Sequence, residues 1–422
     1  MKRSFSILLA VLVVFSLVLA ACKPQSSTPE TPTGGGETTA KPAELTIGYT
    51  ASLTGKYNVS SQRQVNGLNL WMKQVNDAGG IKLSDGTVVT FKAVSYDDES
   101  NKDRVQELYT RLAAQDNADL LISPYSSGLT AAAAVIAEQY GKVMLTTGAA
   151  DDATYKQGYT QVFQIYTPAS RYLTGAVDLL AKTDASIKKV AFVYENDKFS
   201  TSVVEAARAY AEGKGYEIVL FEGYDSGTTD FGPFINKIQS SGAEAILGGG
   251  HFQDGSAFAR QLSEKNVPVK FVTLLVAPPE PDFADLGDAA VGIIGPSQWE
   301  PLAAFTPDFG PTGDEFVKAY QAAYSEEPSY HSAGGYAAGL VLEKAIRDAD
   351  STDPAAIKAA LDNMNLTLFY GSIQFDTSPE AHGLQIGHSM VYIQWQKKGD
   401  TLGKEVVWPE SGATAPLLYP LH

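Results

Sequence analysis

The chain has 422 residues, 44% of them hydrophobic and 10% aromatic, which is enough for real cores and for two or three domains. Its formal net charge is −16 at pH 7, and so acidic a surface opposes binding to nucleic acid or to an anionic membrane face. The single cysteine excludes an intramolecular disulfide, so stability has to come from packing.

The N-terminus has the features of an export signal. Lys2 and Arg3 precede an apolar run from Ile7 to Ala21 that a single serine interrupts. The run has 15 residues, which is too short to cross a membrane comfortably as a helix, and it ends in small residues. We therefore predict a signal peptide over residues 1–21.

The four residues Leu19-Ala20-Ala21-Cys22 resemble the lipobox of bacterial lipoproteins. The resemblance implies that Cys22 is diacylated and becomes the new N-terminus; an ordinary signal peptide with an incidental cysteine is the alternative. Residues 22–44 are predicted to be the lipidated cysteine and a flexible linker, because they are rich in Thr, Pro, Gly and Ser. We expect an exported protein that faces the periplasm or the cell exterior and reaches the membrane through its N-terminal lipid only.

From Leu45 onward, β-rich runs alternate with amphipathic helical stretches. The predicted strands are 45–51, 88–96, 119–123, 142–146, 189–194, 216–222, 243–247, 269–275 and 291–295. The predicted helices are 62–77, 102–115, 129–140, 171–182, 200–212, 230–240, 255–265, 314–324 and 333–349. This alternation is typical of βαβ units and parallel sheets.

The strand series pauses at residues 164–168 and then restarts, which predicts two units of similar construction. We therefore predict an α/β fold with two Rossmann-like lobes, whose parallel sheets are joined by a multi-strand hinge. The first lobe would comprise residues 45–165 plus 297–375, and the second 166–296 plus 376–422. The last two helices would return to cover the first lobe.

Ligands of open α/β sheets bind beyond the carboxyl ends of the strands, so the loops there are candidates. Ser126 and Ser127 follow one strand at the start of a helix, where they either cap that helix or hold a carboxylate. The small residues 148–150 follow the next strand and either admit a ligand or simply form a turn. In the second lobe, Phe199 and His251 lie in strand-end loops, facing either the core or a cleft.

Six motifs occur in a fixed order along the chain. They are Ile47-Gly48 with Ser52-Leu53-Thr54-Gly55, then Asn76–Ile81, Tyr96–Ser100, Pro124–Gly128, Lys142–Ala150 and Tyr370–Phe375. Together they resemble the leucine/isoleucine/valine-binding branch of the type I periplasmic binding proteins, the receptors of ATP-driven importers. The resemblance implies a monomer that captures a small solute by hinge closure and delivers it to the permease subunits, with no cofactor and no metal.

The resemblance also implies roles for individual residues. Ser126, next to Ser127, would hold the ligand carboxylate, while the backbone of Gly148 and Ala149 would bind the ligand directly. The remaining predicted ligand-binding residues are Ala150, Phe199, His251, Leu275, His331 and Tyr57.

Two of these residues depart from the family pattern. Ala150 lacks the hydroxyl of the family's threonine, and Leu275 lacks the charge of the residue that neutralises the ligand's α-ammonium. Enclosing an ammonium without a counter-charge costs several kcal/mol. Either Asp151, Asp152 or Glu280 supplies that charge and the ligand is an amino acid, or the ligand has no ammonium and is an aromatic or aliphatic carboxylate, an amide or a urea-like solute.

Enzyme motifs are missing from the sequence. It has no Gly-x-Ser-x-Gly elbow, no Walker A loop and no His-Glu-x-x-His signature, and its five histidines lack metal spacing. We therefore expect a binding protein and no enzyme. The alternatives are a ligand-sensing receptor of the same fold that acts on a signalling partner and, more distantly, an exported hydrolase.

Overall fold

The computed structural model describes residues 41–303 and 305–421. Cys22, the signal peptide and the linker as far as residue 40 lie outside the described residues. Strand β1 spans Lys41–Ala51, so residues 41–44 belong to the strand and not to the linker. The hydrophobic pattern could not show this, because these four residues are largely exposed and only their backbone pairing with the neighbouring strand makes them part of the sheet.

The first sheet has six strands, and all its neighbours pair in parallel except β2 with β3. In spatial order they are β2 (Ile81–Lys82), β3 (Thr87–Asp97), β1, β4 (Leu120–Ile122), β5 (Met144–Thr146) and β6 (Val162–Gln164). From Leu45 onward β1 is buried almost continuously, because helices cover both faces of the sheet.

The second sheet has seven strands and ends in an antiparallel hairpin. In spatial order they are β15 (Thr401–Trp408), β14 (Val391–Lys398), β11 (Ile294–Ser297), β10 (Phe271–Leu274), β9 (Ala245–Gly249), β7 (Lys189–Glu195) and β8 (Glu217–Tyr224). Two short strands, β12 (Asn365–Leu368) and β13 (Gly371–Gln374), pair separately.

Ten α-helices lie within the described ranges. They are α1 (Asn58–Asp77), α2 (Lys102–Ala114), α3 (Ser127–Gln139), α4 (Thr174–Thr183), α5 (Lys198–Gly213), α6 (Gly232–Ser241), α7 (Phe252–Glu264), α8 (Gly313–Tyr324), α9 (Tyr330–Ala349) and α10 (Pro354–Asp362). Polar side chains fix many of their N-termini: Asn101, for example, accepts from two backbone N–H groups at the start of α2.

The chain passes between the two sheets three times. Helix α9 packs against α1, and residues of α8, α9 and α10 share one hydrophobic core with the first sheet, which confirms the predicted return. β14 and β15 then complete the second sheet. Side chains tie the crossing segments together: Gln298 Oε1 accepts from the Thr167 N–H at 2.9 Å, and His388 Nδ1 lies 2.7 Å from Thr167 Oγ1.

The α/β class and the two sheets agree with the prediction, but several elements were not predicted. β6 is one of them, and it ends at Gln164, the residue at which we placed the start of a pause. The β14–β15 hairpin and α10 were also missed. The hairpin adds an antiparallel edge to the otherwise parallel second sheet.

Candidate ligand-binding site

A small cavity lies where strand-end loops of the two sheets meet. Its free volume is about 10 Å³. Its lining comprises Tyr125, Ser126, Gly148, Ala150, Tyr166, Tyr172, Phe199, His251, Val276, Tyr330 and His331. Six of the ten predicted ligand-binding residues are among them: Ser126, Gly148, Ala150, Phe199, His251 and His331.

Two other predicted residues of the first sheet's loops do not line the cavity. The Ser127 hydroxyl accepts from the backbone N–H groups of Ala150 and Asp151 at 3.1 Å each, so it joins two neighbouring loops. The Ala149 carbonyl accepts from Gln164 Nε2 at 3.4 Å and is buried behind the cavity.

Leu275 and Tyr57 also lie outside the lining. Leu275 is fully buried in the core of the second sheet, and the next residue, Val276, lines the cavity in its place. Tyr57 stands behind the wall, with its ring centroid 5.5 Å from that of Tyr125 and 4.8 Å from that of His251. Neither Leu275 nor Val276 is acidic, so this strand end supplies no counter-charge for an ammonium.

The backbone is strained at two lining residues. Ser126 has φ 81° and Val276 has φ 54°, values that residues with a Cβ rarely adopt. Gly148 has φ 73°, and a Cβ there would lie 2.2 Å from Gln64 Oε1, so only glycine fits. Strain of this kind is concentrated at ligand sites, where the surrounding structure enforces it.

Ser126 caps the start of α3. Its hydroxyl accepts from the Leu129 N–H at 3.3 Å, and its own N–H donates to the Gly148 carbonyl at 3.0 Å. The family resemblance implies that the backbone of Gly148 binds the ligand. In this structure the Gly148 carbonyl already accepts the Ser126 N–H, which fixes the Ser126 loop. The Ser126 hydroxyl and the N-terminus of α3 together form an environment that favours an anion.

His251 adds a cationic group to the same wall. Its Nε2 lies 2.7 Å from Asp197 Oδ2 and its Nδ1 lies 3.0 Å from the Tyr125 hydroxyl. Because a carboxylate only accepts, Nε2 carries a proton. Burial lowers the pKa of His251, but Asp197, together with Glu195 and Asp254, raises it above the ordinary 6.5 overall. The surroundings therefore favour the imidazolium.

Glu195, Asp197 and His251 place potential metal ligands within 4.8 Å of one another, the one such group found among residues 41–303 and 305–421. Their charges are already matched within the chain. Lys56 Nζ lies 2.6 Å from Glu195 Oε1, and His251 pairs with Asp197. The Lys56 ammonium and the imidazolium thus offset both carboxylates.

Glu280 is fully buried beside His331. It accepts from Arg63 Nη1 and pairs with His331 Nδ1, while Arg63 Nη2 donates to Asp282 Oδ1 at 3.0 Å. Burial raises the pKa of Glu280, but His331 and the Arg63 guanidinium outweigh it and lower that pKa to about 2. Burial also lowers the pKa of His331, so Arg63 is the cation that balances Glu280.

The three carboxylates considered as replacements for the missing counter-charge all have partners. Asp151 lies 2.7 Å from Lys198 Nζ, and Asp152 accepts from the Ser170 N–H and hydroxyl at 3.0 and 2.7 Å. Glu280 is paired as described above. The three carboxylates that could replace the missing counter-charge are therefore each engaged by groups of the chain itself.

The sequence did not reveal most of the aromatic wall. Tyr125, Tyr166, Tyr172 and Tyr330 all line the cavity, and none was among the predicted site residues. A signal was present for two of them, since Tyr125 belongs to the quoted Pro124–Gly128 motif and Tyr330 adjoins His331. Tyr166 follows β6, the strand that was not predicted, so nothing marked it as a strand-end residue.

The fold and the site define a two-sheet α/β binding protein. Residues 44–400 match the family described as periplasmic binding protein, so the chain belongs to that family. It is a family of extracytoplasmic solute-binding proteins, not of enzymes. The family match confirms the predicted family and fold. Leu/Ile/Val-binding protein homolog 7 of Brucella melitensis is 24% identical over 393 residues, covering 90% of this chain and 94% of the relative.

Solved structures share the fold. The branched-chain amino acid transporter substrate-binding protein of Streptococcus pneumoniae, in complex with isoleucine, has a TM-score of 0.71 at 20% identity and covers 87% of this chain and 100% of its own. A solute-binding protein of an ABC transporter from R. palustris, in complex with benzoate, has a TM-score of 0.72 at 20% identity and covers 89% and 98%. At these identities the likeness shows the fold alone.

Proposed function

We propose that this protein is the receptor of an ABC importer for a small apolar carboxylate that carries no ammonium group. The observation that carries the proposal is the charge of the cavity. Its wall holds the Ser126 cap at the N-terminus of α3, while Asp151, Asp197 and Glu280 form ion pairs with Lys198, His251 and Arg63. A helix N-terminus favours an anion, and carboxylates already held in ion pairs are poorly placed to offset an ammonium.

The aromatic wall sets the shape of the ligand. Phe199 packs edge-on against Tyr172, with centroids 5.3 Å apart, and lies 5.8 Å from the His251 ring. Flat aromatic side chains provide a large apolar contact area with little loss of conformational freedom. An aromatic or branched aliphatic acid therefore fits this lining better than a urea-like solute.

Uptake would follow hinge opening and closure. Ion pairs join residues of the two predicted lobes across the cavity: Lys56 with Glu195, Arg63 with Glu280, and Lys198 with Asp151. A free volume of about 10 Å³ holds about one water molecule, so the lobes have to separate before a ligand enters. The ligand then stabilises the closed form by contacting both lobes, and a permease distinguishes that form from the open one.

The signal sequence and lipobox support a chain tethered by Cys22, with the acidic domain beside the membrane where its local concentration near permease subunits is high. The domain would act as a monomer. The lobe boundaries stay as the sequence predicted them, apart from the first strand.

A thermal-shift screen tests the ligand class. Purified residues 41–422 would be melted with matched pairs, each an amino acid and the acid that lacks its amine. We expect stabilisation by the acids and little by leucine or phenylalanine. Stabilisation by the amino acids alone would show that the proposed ligand class is wrong.

A further inference from the structure

Lys56 connects the two sheets across the cleft between them. It lies in the loop between β1 and α1, on the side of the first sheet. Its Nζ lies 2.6 Å from Glu195 Oε1, at the end of β7, and donates to Ser226 Oγ at 2.6 Å, in the loop after β8. Both acceptors belong to the second sheet. The ammonium of one half of the molecule is therefore bound by acceptors of the other half.

Three carboxylates lie close together where Lys56 meets the second sheet. His251 Nε2 lies 2.7 Å from Asp197 Oδ2 and 3.9 Å from Glu195 Oε2. The backbone N–H of His251 donates to Asp254 Oδ1 at 2.9 Å. We call Glu195, Asp197 and Asp254 the acidic cluster. Among the described residues its ion-pair partners are His251 and Lys56, and of these only His251 stays with the cluster when the sheets separate.

Burial strengthens the pair of Lys56 with Glu195. The Glu195 side chain is 2% exposed, so water screens its attraction to the ammonium very little. Lys198 pairs with Asp151 across the same cleft, but Asp151 also accepts from the Thr154 N–H and hydroxyl at 3.2 and 3.3 Å. Asp151 therefore keeps partners on its own side without Lys198. Without Lys56, the closed form would bury a carboxylate whose remaining ion-pair partner among the described residues is an imidazole 3.9 Å away.

The topology places this pair far from the hinge. The crossing segments adjoin β11 and β14 of the second sheet. Glu280 follows β10, one strand from β11, whereas Glu195 ends β7, three strands from β11. At about 4.8 Å per strand, these separations are roughly 5 and 14 Å. Because a hinge rotation moves distant contacts most, opening separates Lys56 from Glu195 farther than it separates Arg63 from Glu280.

We infer that Lys56 is a positioning residue for closure: its pairing with the acidic cluster holds the outer edge of the cleft together and sets how rarely the two sheets separate. Because Lys56 does not line the cavity, it acts without touching the ligand. A bound ligand leaves only as often as this pair breaks. The inference rests on the opening and closing of the proposed function, but not on the proposed ligand class.

A single thiol on the cavity wall measures the opening without any ligand. Residues 41–422 include every described strand and helix and no cysteine, since the one cysteine of the chain is Cys22. Val276→Cys places a smaller side chain at a lining position that is 1% exposed. Iodoacetamide reaches this thiol when the sheets separate, and mass spectrometry follows the alkylation. In this parent variant the reaction should be at least about tenfold slower than in the urea-unfolded protein.

Loss of the pair should open the cleft more often. Adding Lys56→Met to the parent should raise the alkylation rate at least about fivefold, because the closed form then buries an unpaired carboxylate. Glu195→Gln removes the same pair from the other side and should act alike. Lys56→Arg keeps the charge and should stay within about twofold of the parent. Lys56→Met combined with Glu195→Gln should be no faster than either single change, because both remove one interaction.

Two controls separate cleft opening from a general loss of stability. Lys214→Met removes a lysine that is 43% exposed and pairs at 2.9 Å with Asp178 of α4, on the same side of the cleft, and it should leave the rate unchanged. Val203→Cys, used in place of Val276→Cys, puts the thiol in the core of the second sheet, where Val203 is fully buried. Lys56→Met should not accelerate alkylation there, because only unfolding exposes that position.

The inference is overturned if the parent thiol reacts as fast as it does in the unfolded protein, because the sheets are then not held together. It is also overturned if Lys56→Met leaves the slow rate unchanged, or if the Val203→Cys thiol accelerates equally, which would assign Lys56 to general stability. No ligand enters these measurements. A thermal-shift screen in which no acid stabilises the protein would therefore overturn the proposed ligand class alone.

Discussion

Replacing Arg63 by methionine removes the cation of a buried ion pair that joins α1 to the loop after β10. The Arg63 side chain is 6% exposed and that of Glu280 is fully buried, so water screens the pair very little. Methionine keeps the length and most of the apolar stem. Glu280 is then left with His331, whose pKa burial lowers, as its only close partner.

The size of the effect follows from the position of Glu280. Removing one member of a buried pair costs about 3–5 kcal/mol, a large part of a typical stability of about 5–15 kcal/mol. Glu280 can escape by taking up a proton, which costs about 3 kcal/mol at pH 7 for an ordinary glutamate. We therefore expect Arg63→Met to lower the free energy of unfolding by about 3 kcal/mol.

The pH dependence has a definite sign. In the folded wild type the pKa of Glu280 is lowered to about 2, although burial alone would raise it. Its contribution to stability is therefore fully present above the unfolded pKa of 4.5 and is lost as the pH falls from there toward 2. In Arg63→Met the cation is gone and burial raises this pKa. The difference between wild type and variant should thus be largest at pH 7 and shrink toward pH 4.5.

Urea unfolding followed by circular dichroism at pH 7 and pH 5 measures this difference. Lys73→Met is the control, because Lys73 on the same helix pairs with Asp77 while 71% exposed and should contribute about 0.5 kcal/mol or less. Arg63→Met combined with Glu280→Gln should recover much of the loss. A loss below about 1 kcal/mol for Arg63→Met, with no change between the two pH values, would refute the buried pair.

Three further changes test the cavity. Ser126→Ala should weaken carboxylate binding by about tenfold or more while the protein stays folded, and unchanged affinity in a calorimetric titration would show that the serine only caps α3. Phe199→Ala should lower the affinity for aromatic acids by about tenfold and for small aliphatic acids less, as competition titrations would reveal. Because the folded pKa of His251 is raised, carboxylate affinity should be constant below pH 6.5 and fall as the pH rises through that raised pKa. His251→Gln should bind equally at all these pH values, and a pH dependence that survives this change would assign it to another group.

The sequence predicted the fold well where periodic patterns were long. The central strands and most helices agree with their predictions to within a few residues, because alternating buried strands and amphipathic helices leave a strong signal. β6 was missed although β4 and β5, which are equally short, were predicted. The start of β1 was missed because exposed side chains hide a paired backbone. Local sequence does not report pairing between distant strands.

The candidate site was predicted in outline only. Ser126, Gly148 and His251 follow strand ends, so their convergence could be foreseen from the topology of parallel sheets. That Val276 and not Leu275 lines the cavity could not be foreseen, because it depends on a backbone turn in which Val276 has a positive φ. The partners of Glu280 lie more than 50 residues away along the chain, at Arg63 and His331, and only the folded structure brings them together.

The most direct test is a calorimetric titration of the wild-type domain with phenylalanine and with phenylpropanoate, which differ only in the amine. The N-terminus of α3 favours an anion, and Asp151, Asp152 and Glu280 are already engaged within the chain. Phenylpropanoate should therefore bind at least about a hundredfold more tightly, since an enclosed unpaired ammonium costs several kcal/mol. Equal affinities, or tighter binding of phenylalanine, would contradict the proposed ligand class.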